Sequence, residues 1–294
     1  MATVTERLPA ARAETFSARV SRLASRGPLN IFLVLVALAW LTPTMGMLIA
    51  SFRPVEAYRD SGWWTAFANP NQLIIDNYTT LLDKPGITEA LLNTVKISIP
   101  SSLLVVVIAA LGAYAFAWID FRGREPLFVG VVALLVVPLQ MALIPAARLF
   151  DATNIFGTVW AAIVFHIAFG LPFAILLLRN FFIGIPGDLL EAARMDGASE
   201  WQIFTRLMLP LGMPAIASLL IFQFLWTWND LLVAASFAGQ SQPLTVLLRG
   251  QMRTYGTSID VIAPGAFLLM SIPLIVFFAF QRYFVQGLLA GSVK

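Results

Sequence analysis

Six stretches of this 294-residue chain are so apolar and so long that water cannot be their solvent. They run at about 29–51, 92–119, 127–148, 158–178, 212–237 and 264–284. A helix needs roughly 20 apolar residues to cross about 30 Å of hydrocarbon, and each run reaches that length. Transmembrane strands need only about 10 residues and alternate strictly between apolar and polar positions. No run alternates in that way, so the spans read as helices. The expected fold is all-α: a polytopic membrane protein with six transmembrane helices. Composition agrees, with 59% hydrophobic and 12% charged residues, against about 25% charged in soluble domains.

Several chemistries are excluded at once. The chain has no cysteine and one histidine, His166. Disulfides, thiolate sites and multi-histidine metal centres therefore fall away, and no metal is expected. The net charge of +3 fits loop asymmetry across a bilayer better than nucleic-acid binding. None of the lysines, Lys84, Lys96 and Lys294, follows a glycine as a phosphate-cradling loop requires. The chain itself is expected to bind no cofactor and to catalyse no reaction.

Basic residues set the expected orientation. Arg7, Arg12, Arg19, Arg22 and Arg26 precede the first span, and Arg122 and Arg124 follow the second. Arg179, Arg194 and Arg206 lie around the loop after the fourth, and Arg282 and Lys294 follow the sixth. The positive-inside rule places these loops and both termini in the cytoplasm. Residues 1–28 then form a basic cytoplasmic tail, 29–284 the membrane domain and 285–294 a cytoplasmic C-terminal tail. The opposite face carries two long segments, 52–91 and 238–263. The first holds Trp63 and Trp64, which suit the headgroup level.

Residues 180–210 form a soluble-looking island between two spans. Ile185-Pro186 breaks the preceding helix, Asp188 is placed to cap a new one, and Gly197 permits a sharp turn between two short helices. Trp201, Phe204, Leu207 and Met208 then recur at helical spacing up to Pro210. Glu191-Ala192-Ala193, Gly197 four positions further on and Leu209-Pro210 at the close resemble the EAA loop of ABC-type importer permeases. Leu207 stands where the family pattern usually has isoleucine, and Asp196 precedes the glycine as in the sugar-importer branch.

The resemblance implies a function. In that family the short helices of this loop dock in a groove of a separate ATPase subunit. Glu191, Ala192, Ala193, Asp196 and Gly197 would carry that coupling, and ATP and Mg would sit on the ATPase. The implied partners are an ATPase dimer, a homologous second permease, an extracytoplasmic sugar-binding protein, a sugar substrate and the lipid bilayer. The tail from Gln281 to Lys294, with Gly287-Leu288-Leu289-Ala290-Gly291-Ser292-Val293-Lys294 at its end, also resembles the sugar branch. It is most similar to α-glucoside permeases, which points to an α-glucoside or another oligosaccharide. The implied location is the bacterial cytoplasmic (inner) membrane.

Polar residues inside the spans are the candidate translocation path, because such groups must face protein or water. Gln223, Trp226, Thr227 and Asp230 fall at i, i+3, i+4 and i+7 of the fifth span, with Asn229 beside them. Amide, hydroxyl and carboxylate groups next to an indole suit a sugar, which needs hydrogen bonds and an aromatic face. An equally physical reading makes Asn229 and Asp230 caps that staple the bundle. Gln140, between Pro138 and Pro145, is a further path candidate. In segment 238–263, Gln251, Arg253, Tyr255 and Gly256 are candidates for entering the binding protein's cleft, by resemblance to maltose-type importers. The rival reading is an ion- or proton-coupled secondary transporter with Asp230 and His166 as carriers.

Overall fold

The computed structural model describes the backbone of residues 16–255 and 259–290, and side chains within 27–252 and 259–281. Most of the basic tail, the last four residues and Gly256 therefore lie outside the described residues, as do the side chains of Arg253 and Tyr255. All regular structure described is helical. The elements are α1 (Phe16–Ser51), α2 (Val55–Asp60), α3 (Asp76–Asp83), α4 (Ile87–Trp118), α5 (Arg124–Ala133) and α6 (Leu139–Ala152). They continue with α7 (Val159–Ile183), α8 (Gly187–Met195), α9 (Glu200–Ile203), α10 (Leu209–Trp228), α11 (Leu232–Phe237), α12 (Leu244–Tyr255) and α13 (Ile259–Ala290).

Stretches of α1, α4, α7, α9–α10 and α13 are each long and apolar enough to cross a membrane. The third expected span differs. Residues 127–148 do not form one straight helix: α5 ends in a 3-10 turn at Leu134–Val136, and the chain bends by 104° into α6. Pro138 causes the break. It offers no N–H to the preceding turn, and its ring drives Val137 out of the helical region, to φ −70° and ψ 114°.

The centre of the bundle is α4 against α7. Ser101, Val105, Ala109 and Ala113 recur every four residues along α4, and all are fully buried. Opposite them, Ala162, His166, Gly170, Ala174, Leu178 and Phe182 form a four-residue ridge on α7, also buried. Small residues in such ridges let backbones approach, which is how helices associate where lipid removes most of the hydrophobic driving force. At Gly170 the approach is closest. A Cβ there would lie 2.9 Å from Nε2 of Gln223 and 3.0 Å from a Val105 methyl. At the other extreme is α1, whose residues 28–45 are exposed on all sides and which packs mainly along α13.

Segment 52–91, expected as a loop, is built around Arg53. That side chain is completely buried. Its Nε donates to Oε1 of Gln72 at 3.1 Å and Nη1 to the Ser61 carbonyl at 3.3 Å. Its Nη2 reaches the Ala57 carbonyl and the Ser61 hydroxyl, both at 2.7 Å. Asn77 ties the start of α3 back to the end of α1 by donating to the carbonyls of Ser51 and Arg53. Neutral oxygens thus solvate a charge that would otherwise be costly to bury. Trp64 and Phe67 remain exposed beside this knot.

Candidate functional site

The EAA segment folds as two short helices joined by an elbow. Pro186, rather than Asp188, stands at the start of α8, and Asp188 lies within the first turn, where its charge favours the helix N-terminus. The helix ends at a glycine-dependent turn. The Ala198 N–H donates to the Ala193 carbonyl and the Gly197 N–H to the Arg194 carbonyl, both at 3.0 Å. Gly197 has φ +79°, in the left-handed region. These are the bonds of a Schellman motif, which satisfies carbonyls that a helix end leaves free. Ser199 then caps α9 reciprocally with Gln202, a capping box.

Glu191, Ala192, Asp196 and Gly197 are exposed and Ala193 is half-buried, so the motif faces away from the bundle. Apart from its chain neighbours, no atom of the described residues lies within 4 Å of a Cβ built on Gly197. A shallow hollow of ≈ 560 Å³ lies between the two helices, lined by Leu189, Ala192, Ala193, Ile203 and Leu207 among others. Its floor is held by Leu190, Ile203, Phe204 and Met208, all buried in the main core with Phe182 and Leu178. From α9 the helix runs through one π-helical turn, Phe204–Met208, directly into α10.

The elbow is also fastened to the end of α4. The Tyr114 hydroxyl of α4 donates to Oε2 of Glu200. Arg194 of α8 donates through Nε to Oε1 of the same carboxylate at 2.9 Å, and through Nη2 to the Trp118 carbonyl at 3.3 Å. The hydrogen bond that Arg194 donates to Glu200 keeps the guanidinium pKa above its ordinary value. Trp118 in turn donates to the Phe182 carbonyl at 3.1 Å, and Arg179 donates to the Phe116 carbonyl at 3.2 Å. Sequence reasoning had passed over Tyr114, Trp118 and Glu200, and had counted Arg194 only as a loop charge. Its one available signal was a carboxylate in the first turn of α9 with an arginine six residues before it.

The polar cluster of the fifth span is arranged differently from its expected single face. The helix ends at Trp228, and a break at residues 229–231 separates it from α11. Gln223 and Thr227 are buried, whereas Trp226 is 40% exposed on another side. Asp230 lies past the helix end and accepts from the N–H groups of Val233 at 3.2 Å and Ala234 at 2.9 Å, capping α11. Its Oδ2 also sits 3.5 Å from Nε2 of His166 on α7. Asn229 is exposed and donates to the Leu225 carbonyl at 2.8 Å. Trp228 is buried and donates to the Leu269 carbonyl at 2.9 Å, tying α10 to α13. The capping geometry thus matches the reading of Asp230 as a staple. Within this region the hydroxyls of Ser98, Ser101 and Thr227 and the amide nitrogen of Gln223 are buried without a hydrogen-bond partner among the described residues.

Gln140 is exposed in the first turn of α6, just beyond the 104° bend. Gln251 is half-buried on α12, which packs on α13 and α4.

Residues 106–290 match the family described as the inner membrane component of binding-protein-dependent transport systems. The osmoprotective compounds uptake permease GgtD of Synechocystis is 46% identical over 91% of this chain and 92% of its own length. The alpha-glucoside transport system permease AglG of Rhizobium meliloti is 45% identical over 84% of this chain and 67% of its own. The trehalose transport system permease SugB of Mycobacterium tuberculosis is 32% identical over 86% of this chain and 92% of its own. In fold, the chain is similar to the crystal structure of a bacterial ABC transporter that imports the acidic polysaccharide alginate. The TM-score is 0.70 at 23% identity, covering 93% of this chain and all of that one. With an outward-facing EAA elbow set on a bundle of membrane helices, this chain belongs to the permease family of binding-protein-dependent transport systems.

Proposed function

We propose that this chain forms half of the translocation path of an ATP-driven sugar importer. It takes its energy from a separate ATPase through the elbow at Glu191–Gly197. The observation that carries this reading is the exposed, fully hydrogen-bonded elbow, with an empty hollow of ≈ 560 Å³ beside it. A partner helix or groove fits against Ala192, Ala193 and Gly197 because no side chain stands in its way. An α-glucoside or a related oligosaccharide is the favoured substrate class, since AglG and SugB are named for α-glucoside and trehalose transport.

The remaining parts follow from that role. A second, homologous permease completes the path, and an ATPase dimer binds ATP and Mg at the cytoplasmic face. A sugar-binding protein docks on the face formed by segments 52–91 and 238–263, where Gln251 and its neighbours stand. Both termini lie in the cytoplasm and the bundle in the inner membrane. ATP-driven closure of the ATPase pulls the elbows together, and the bundle opens outward to receive the sugar. Hydrolysis and release reverse the movement.

The contact between His166 and Asp230 is where a proton-coupled carrier would place its relay, and it is the feature that keeps that second reading in view. Proteoliposomes containing the permease pair, the ATPase and the binding protein decide between them. Uptake of a maltose- or trehalose-class sugar should require ATP and persist when the proton gradient is collapsed. Uptake by this chain alone, driven by a proton or sodium gradient without ATP, would overturn the proposal.

A further inference from the structure

We infer that Glu200 is the positioning residue that passes movement of the coupling elbow into α4, the central helix of the bundle. The inference rests on the coupling role proposed above. Three elements meet at this one carboxylate: Tyr114 from α4, Arg194 from α8, and Glu200 itself from the first turn of α9. Each carboxylate oxygen accepts from a different element, so the group works as a two-ended clamp. Arg194 extends the clamp by binding the Trp118 carbonyl, one of the acceptors that the C-terminus of α4 leaves free. The guanidinium at that terminus is also favoured by the helix dipole.

The placement suits transmission. The motif residues Glu191, Ala192 and Gly197 are exposed, and Glu200, also partly open to solvent, reaches back to accept from Tyr114, which is buried in the main core. One face of the elbow is thus free for a partner while the other grips the bundle. On α4 the same helix continues through Ala113, Ala109, Val105 and Ser101, the fully buried ridge against α7. A displacement of the elbow that drags Tyr114 must move this ridge, because close-packed interiors shift as units rather than yielding locally. Without the clamp, the elbow would remain joined to the bundle through its chain links to α7 and α10 and through apolar packing such as Phe204 against Tyr114, and its hold on α4 would be weaker.

The test measures sugar delivered per ATP hydrolysed in the complete reconstituted importer. Glu200→Ala removes both ends of the clamp and leaves the outward face intact. ATPase stimulation by sugar-loaded binding protein should persist, while sugar delivered per ATP falls about tenfold, the order expected from losing charge-assisted bonds. Glu200→Gln should restore most of that ratio: its amide oxygen can accept from Arg194 and its nitrogen can donate to the Tyr114 oxygen. Tyr114→Phe, which leaves the elbow untouched, should lower the ratio in the same direction. A wild-type ratio in Glu200→Ala, or equal losses of hydrolysis and uptake, would overturn the inference. If Glu200→Ala does not assemble, a wild-type ratio in Tyr114→Phe overturns it. Gly197→Leu serves as the control: normal transport in that variant as well would instead discard the elbow's coupling role.

Discussion

The coupling elbow and the break between α10 and α11 both interrupt helices with a few polar residues, yet they solve opposite problems. At the elbow the Schellman pair, the capping box and the Arg194–Glu200 bond are all made within about a dozen residues, and only the attachment to α4, through Tyr114 and Trp118, comes from far along the chain. The groups that form the turn are paired, and Glu191, Ala192, Asp196 and Gly197 are left exposed on its outer face. At the α10–α11 break Asp230 and Asn229 make local bonds, but the junction is tied to three other elements: His166 on α7, Leu269 on α13 and Thr245 on α12. Several buried atoms there, including the Gln223 amide nitrogen and the Thr227 hydroxyl, have no hydrogen-bond partner among the described residues. Unpaired buried groups cost about 1–3 kcal/mol each. The elbow is a rigid handle, and the break is a junction whose bonding is left incomplete within a single chain.

The contrast is broken most forcefully at Gly197. A leucine there would strain a left-handed residue by about 1–2 kcal/mol and put bulk on the docking face. Uptake should fall by more than about tenfold while the protein reaches the membrane at normal levels. Near-normal uptake by Gly197→Leu in vesicles would show that the bare face is not the handle.

Gly170→Leu attacks the opposite region. Its side chain would collide with Gln223 and Val105 where α7, α10 and α4 meet closely. Overpacking of this kind costs about 1–3 kcal/mol. The thermal midpoint of the detergent-solubilised complex should drop clearly, whereas sugar per ATP in the surviving molecules should not change. An unchanged midpoint would mean that the contact relaxes at no cost.

Asp230→Asn sharpens the comparison further. It weakens the cap on α11 and the approach to His166, a loss of about 1 kcal/mol by analogy with other caps. The expected effect is a small loss of stability and uptake that stays indifferent to a collapsed proton gradient. Uptake that acquires or loses pH dependence in this variant would return Asp230 to the role of a carrier. The smallest effect is expected from Gln223→Ala, about 0.5–1.5 kcal/mol at most. Because Gln223 is buried against Gly170 in this chain's own bundle, sugar preference should stay as it is. A changed ranking of oligosaccharides in competition assays would place Gln223 in the path after all.

The same contrast explains what could be read from the sequence. The spans were legible because hydrocarbon thickness forces their length, and the elbow because Pro186, Gly197 and Ser199 act on their immediate neighbours. The end of α10 at Trp228 was not legible: no proline or glycine marks it, and the apolar run continues to Phe237. Asp230 then ceased to share a face with Gln223, although the i, i+7 spacing was sound for an unbroken helix. At the third span the signal was present. Pro138 entered only as a flank of Gln140, but its effect on Val137 decides the fold. The ridges on α4 and α7 were also written openly in the four-residue recurrence of small side chains. An average of hydropathy over a window cannot distinguish such a ridge from an ordinary apolar helix.

The bend at Val137–Pro138 has a consequence for how the protein is made. The ten residues of α5 and its three-residue 3-10 turn rise only about 20 Å at 1.5 Å per residue. That falls short of the roughly 30 Å of hydrocarbon to be crossed. Nor does α6 finish the crossing in line, since it departs at 104°. The carbonyls freed at the break need partners within protein, since lipid supplies none. α6 packs into a cluster with α7 and α11, where Phe150 meets the Phe237 ring, and apart from Ile97 of α4 these neighbours are synthesised later. This segment can settle only after the ribosome has passed well beyond it, so its insertion is completed by the chain that follows.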